Sequence, residues 1–187
     1  MRLHFRSVLF AGVATLSLAA CSTDLAVTNP NNADITRALA RPSDVENLLA
    51  GGFNQVVNNT TGGANDNLNN SFQVMSHENY TGLANFNMGP RAGLPRTPIL
   101  NFPNNPGSAS VSNDFNGLSR LARSTTIALE RLATTGFTLG TPAQDLRARA
   151  YGRFILGLSL GNLALSYDSA AVVVPGGEAV PALVAYD

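Results

Sequence analysis

The chain has 187 residues and a formal net charge of zero, with all 12 of its basic residues Arg and none Lys. Charged residues make up only 13%, about half the usual share, and no Arg cluster forms a stripe, which argues against a nucleic-acid partner. An apolar fraction of 44% still permits a real hydrophobic core.

The N-terminus carries positive charge at Arg2 and Arg6, and a mostly apolar run then extends from Val8 to Ala20. That run is long enough for the apolar region of an export signal but short of the roughly 20 residues needed to span a bilayer. It ends in Leu18-Ala19-Ala20-Cys21, which resembles the bacterial lipobox. Residues 1–20 are therefore expected to be removed as a signal peptide. The thiol of Cys21, the only cysteine, is expected to receive a diacylglyceryl group, with a third acyl chain on the new N-terminus; one chain alone binds membranes only marginally. Ser22 follows, with no Asp to hold the protein at the inner membrane, so the outer membrane is the expected destination.

Residues 21–42 read as an extended tether, with turn chemistry at Asn29-Pro30-Asn31-Asn32. A helical region is expected over 43–187. Its first helix is placed at Ser43-Asp44-Val45-Glu46, which fits a capping box. Val45, Leu48, Leu49, Phe53, Val56 and Val57 follow at helical spacing. Gly51-Gly52 weakens this helix unless a neighbour packs closely there.

Residues 62–112 show little periodicity. Phe72, Val74, Met75, Tyr80, Leu83 and Phe86 hint at a short helix, and Pro90, Pro95, Pro98, Pro103 and Pro106 enforce irregular backbone. A loop of this length is usually functional or disordered, and the segment reads as an elaborated surface. A helix opening near Asn113 or Asp114 buries Phe115, Leu118, Leu121, Ala122, Ala128, Leu129 and Leu132 and stops at Gly136. The next opens at Thr141-Pro142-Ala143-Gln144 and runs to about Tyr167, with Leu146, Ala150, Phe154, Leu158 and Leu165 as its expected buried face. Gly152, Gly157 and Gly161 read as notches for a neighbour's backbone. The short connection implies an antiparallel pair, and the fold class is read as all-α. Asn162, Ser166 and Asp168 interrupt the apolar stretch from Phe154 to Val174, which makes it a core helix and not a membrane span.

The chemistry of an enzyme is not evident. His77 is the only histidine after the leader, and His77-Glu78 lacks the further His or Cys of a usual zinc set. No Ser/His/Asp arrangement, carboxylate pair or phosphate-cradling loop stands out, and neither metal nor cofactor is expected. Tyr80, Phe86 and Phe102 are weak ligand-binding candidates, because exposed aromatic faces stack on sugar rings. Their alternative role is to anchor the loop on the helices.

Several segments together resemble the N-terminal portion of the SusD/RagB family of outer-membrane nutrient-uptake lipoproteins. These are the lipobox, Leu25-Ala26-Val27-Thr28-Asn29-Pro30-Asn31, Leu49-Ala50-Gly51-Gly52-Phe53, Arg147-Ala148-Arg149-Ala150-Tyr151-Gly152-Arg153-Phe154 and Leu163-Ala164-Leu165-Ser166-Tyr167-Asp168. The resemblance implies tetratricopeptide-like helix pairs and a cell-surface position as the lid of a SusC-like TonB-dependent transporter. It implies capture of oligosaccharides or peptides for import. Where the family usually has a Tyr-Gly-Asp-type turn and proline, this chain reads Tyr167-Asp168-Ser169-Ala170-Ala171 and goes on into Val172-Val173-Val174-Pro175. Family members are also longer, so a fragment of marginal stability is expected. The alternatives are a helical scaffold lipoprotein that binds protein partners without a glycan and, more remotely, a lipid-anchored hydrolase.

Overall fold

The computed structural model describes residues 35–62, 67–80, 82, 88–94 and 108–185, without the side chains of 36, 88, 90 and 108–111. The leader, Cys21, Phe86 and Phe102 lie outside the described residues. In chain order the elements are α1 (Ile35–Ala38), α2 (Pro42–Ala50), α3 (Gly52–Thr60), α4 (Leu68–Met75), α5 (Met88–Ala92), α6 (Ser108–Ala133), α7 (Pro142–Ser166), β1 (Ser169–Ala171) and β2 (Leu183–Ala185). The fold is mostly helical. This agrees with the expected all-α class, to which the chain adds one small antiparallel sheet in which Ala170 pairs with Val184.

Two long helices form the frame. Leu118 on α6 shares a cluster with Leu163 on α7, while the Arg149 guanidinium of α7 donates to the Leu132 carbonyl near the end of α6 at 2.8 Å. Rising numbers on one helix thus meet falling numbers on the other, and the pair is antiparallel as expected. The inward face of α6 is the one read from its spacing: Leu118, Leu121, Ala122, Ala128, Leu129 and Leu132 are all buried. Its helix starts earlier than expected, at Ser108.

The buried face of α7 is a correction. Gly152, Ile155, Leu156, Ser159 and Leu163 are buried, whereas Leu146, Phe154 and Leu165 are 68%, 52% and 84% exposed. Ala150 is exposed as well, and Leu158 is half-buried. Of the three expected notches only Gly152 is one: a Cβ there would lie 2.8 Å from Leu129 Cδ2. Among the described residues nothing approaches within 4 Å of a Cβ at Gly157 or Gly161. Among the described residues no helix is long and apolar enough to cross a membrane.

Helical structure also begins before the expected tether boundary. α1 occupies residues read as tether, and Leu39 is buried with Val45, Leu49, Ala128 and Leu132. Arg131 holds this entry in place by donating from Nε to the Leu39 carbonyl at 2.9 Å, and its guanidinium lies 4.2 Å from the Phe137 ring centroid. α2 opens at Pro42, with Arg41 as its N-cap, so the box at Ser43 does not form. Instead Arg41 N–H donates to the Asp44 carboxylate at 3.3 Å. Proline at the first helical position fixes φ near its helical value and lacks only an N–H that would be unpaired anyway. That preference outweighs the serine.

The single helix expected across Gly51-Gly52 is two helices jointed at Gly51. The close approach expected there is real, since a Cβ on Gly52 would sit 3.1 Å from Ile155 Cγ2. Phe53, placed on the apolar face by its spacing, is 49% exposed.

α4 and α5 bring structure to the segment read as irregular. Asn67 caps α4 by accepting from Asn70 N–H at 3.0 Å, and Pro90 sits in the first turn of α5, where proline is tolerated. Beneath them Asn67, Ser71, Arg91 and Asp114 are buried. The Arg91 guanidinium donates to Ser71 Oγ, and the ring of Tyr167 meets that of Phe115 edge-on at 5.1 Å. Burial, then the negative charge of Asp114, pushes the Tyr167 phenol well above its ordinary range, with Arg91 and the Phe115 backbone pulling the other way.

Candidate binding cleft

The N-terminal end of α7 is firmly built. The Thr141 hydroxyl oxygen accepts from Gln144 N–H at 3.3 Å and its O–H donates to Gln144 Oε1 at 2.9 Å. Pro142 fills the first helical position, as its sequence predicts. Asp145 then fastens the incoming connection, accepting from Leu139 N–H at 2.8 Å and from the Thr138 hydroxyl at 3.0 Å. An acidic side chain in the first turn also complements the helix dipole.

These first turns of α7 face the end of α2 across a cleft of about 420 Å³. α2 contributes Glu46, Leu49 and Ala50, the connection contributes Leu139, and α7 contributes Gln144, Arg147, Ala148 and Tyr151. The volume lies within the range of small-molecule sites. Leu49, Ala50, Leu139 and Ala148 help make its surface mostly apolar, and Glu46, Gln144, Arg147 and Tyr151 also line it.

Each polar group has a definable capacity. The phenol oxygen of Tyr151 accepts from Phe53 N–H at 3.3 Å, which satisfies one of the amide groups left open at the start of α3. The phenol keeps its own O–H to donate. Gln144 spends its carbonyl oxygen on Thr141, so its NH₂ group serves as a donor. Arg147 adds a planar array of donors from α7, and Glu46 adds an acceptor from α2. Because α2 begins at Pro42, Glu46 falls in the second turn and has no capping role. A ligand with hydroxyl or amide groups and an apolar or C–H face matches this arrangement. Phenol, amide, guanidinium and carboxylate groups can supply directed hydrogen bonds.

Tyr80 and the His77-Glu78 pair, the described residues singled out from sequence, are elsewhere. Tyr80 is 91% exposed beyond the end of α4 and does not line the cleft. His77 has φ 61, the left-handed conformation of a residue that ends a helix. Its N–H donates to the Val74 carbonyl at 3.3 Å. His77 and Glu78 are both exposed, and among the described residues no group of three His, Cys, Asp or Glu is placed to hold a metal ion. The lining of the cleft comes from segments about a hundred residues apart in the chain, joined by helix crossing. The Leu49-Ala50 and Arg147–Tyr151 stretches were visible as parts of a family resemblance, but their meeting was not.

No family model, no curated protein and no solved structure matches this chain.

Proposed function

We propose that this protein is a lipid-anchored binding protein of the bacterial outer membrane, facing the cell surface. In this reading it captures oligosaccharides, or peptides, for import by a SusC-like TonB-dependent transporter. The observation that carries the reading is the cleft, whose mostly apolar surface is also lined by Tyr151, Gln144, Arg147 and Glu46. A pocket of mixed apolar and convergent polar groups suits binding, and the reading assigns it no catalytic step and no cofactor. The lipobox at Leu18–Cys21 and the SusD/RagB-like segments support the placement at a membrane. In the same reading, α6 and α7 form one tetratricopeptide-like pair of a SusD-like helical domain.

Calorimetric titration of the full chain against a panel of oligosaccharides and short peptides tests the proposal. At least one class is expected to bind, and Arg147→Ala or Tyr151→Ala is expected to weaken it about tenfold or more with the far-UV spectrum unchanged. Absence of binding across the panel, or cleft variants that bind as well as wild type, overturns it. Co-purification with an outer-membrane barrel tests the transport half separately.

A second reading, a scaffold lipoprotein that holds a protein partner without a glycan, is favoured by one feature. Leu146, Phe154 and Leu165 are exposed on the outward face of α7.

A further inference from the structure

The outward face of α7 takes no part in the cleft. Leu146, Phe154 and Leu165 stand exposed on it, with Ala150, Gly157, Gly161 and Ala164 also exposed between them. Helical spacing puts these residues on one side of the cylinder, over a length of about 28 Å at 1.5 Å per residue. α7 is therefore apolar on two opposite faces, and a helix apolar all round is normally buried all round. The two glycines sharpen the point. A glycine weakens a helix interior, and neither accommodates any atom of the described residues within 4 Å. What bare backbone at both positions permits is the close approach of another helix.

We propose that this face pairs with the same face of a second copy of the chain, antiparallel, about a two-fold axis between Gly157 and Gly161. The residue pattern is self-complementary about that point. Gly157 of one copy falls opposite Gly161 of the other, and Phe154 of each falls against the small Ala164 and the exposed Leu165 of its mate. Large side chains thus meet small ones on both sides of the axis, as a self-complementary interface requires.

Charge fixes the orientation. Arg147, Arg149 and Arg153 are exposed on the first half of α7, the second half has no basic residue, and exposed Asp168 follows the helix end. A parallel pair would stack arginines on arginines. The antiparallel pair separates them and brings Asp168, just past the helix end, alongside Ala150 of the second copy, about one turn from its Arg153.

A single helix face about 28 Å long offers less area than a standard interface. The dimer is accordingly weak and concentration-dependent. Exposed apolar patches often serve contact.

Sedimentation equilibrium of the full chain in mild detergent, over a wide concentration range, reads the result. A monomer–dimer equilibrium is expected. Gly161→Leu places a bulky side chain in the interface and a better helix former in the monomer. It should shift dissociation about tenfold or more toward monomer with a melting temperature no lower. Arg153→Asp should weaken the dimer, and the double variant Arg153→Asp with Asp168→Arg should restore it. A chain that stays monomeric, a dimer indifferent to Gly161→Leu, charge variants without rescue, or a monomer that binds only to anionic lipid vesicles through this face would each overturn the proposal. None of these outcomes touches the cleft, so the two proposals fail independently.

Discussion

The two faces of α7 are made from nearly the same side chains and behave as opposites. Ile155 and Leu163 are fully buried, while Leu146 and Leu165, no less apolar, are among the most exposed residues of the helix. Composition alone therefore does not decide which side of a helix becomes core; the neighbours available to cover it decide. On the inward side those neighbours are α6, α2 and α3. On the outward side the chain provides none among its described residues.

Mutation should separate the faces cleanly. Ile155→Ala, at a fully buried position touching the Val56 and Leu121 cluster, is expected to cost about 3 kcal/mol in chemical denaturation. Phe154→Ala next to it should change monomer stability by no more than about 0.5 kcal/mol. Equal losses at the two positions would show that something covers the outward face.

The glycines extend the contrast with a change of sign. Gly152→Ala must push Leu129 Cδ2 from 2.8 Å and should destabilise by about 1–2 kcal/mol. Gly157→Ala enters open space and should stabilise the monomer by up to about 1 kcal/mol. Thermal melts of the two variants at low protein concentration are expected to move in opposite directions.

Thr126 on α6 is fully buried, and its Oγ1 has no hydrogen-bond partner among the described residues. A buried hydroxyl left without a partner costs free energy, whereas an apolar group of the same shape does not. Thr126→Val should therefore gain about 1 kcal/mol in denaturant midpoint analysis, and a loss would reveal a partner for that oxygen.

The smallest effect at neutral pH lies where α7 ends. Tyr167 holds its proton more tightly when folded than when unfolded, from burial first and Asp114 second. As pH rises past 10.0, the ordinary value for the phenol, the unfolded chain loses a proton that the folded chain keeps, and stability falls. Below that pH the contribution is fully present. Tyr167→Phe should flatten the alkaline limb of the stability curve without changing its shape below pH 9, roughly one unit under that pKa.

How far the sequence could be read follows from the same contrast. The inward face of α6 was legible because only one stripe of that helix is apolar. Leu118, Leu121, Ala122, Ala128, Leu129 and Leu132 leave no rival. α7 offers two apolar stripes, and spacing selected Leu146, Ala150, Phe154, Leu158 and Leu165, which is largely the outward one. Thr141 was legible as a cap because proline and glutamine follow it at the positions a helix start requires. Ser43 was misread because Pro42, one residue earlier, sets the backbone first. β1 and β2 escaped notice because three-residue strands separated by a Pro-Gly-rich turn have too few positions to show alternation. The cleft was hidden for a different reason: its two walls carry no common motif, and only the crossing of α2 over α7 makes them neighbours.

One hydrogen bond described above links that cleft to the rest of the body. Tyr151 lines the cavity and at the same time accepts the Phe53 N–H that opens α3. Any molecule that takes the phenol's remaining proton would polarise the bond to Phe53 as well. Occupancy would then be felt at the joint between α2 and α3, where backbone hydrogen exchange at Phe53 can report it from a site the ligand does not touch.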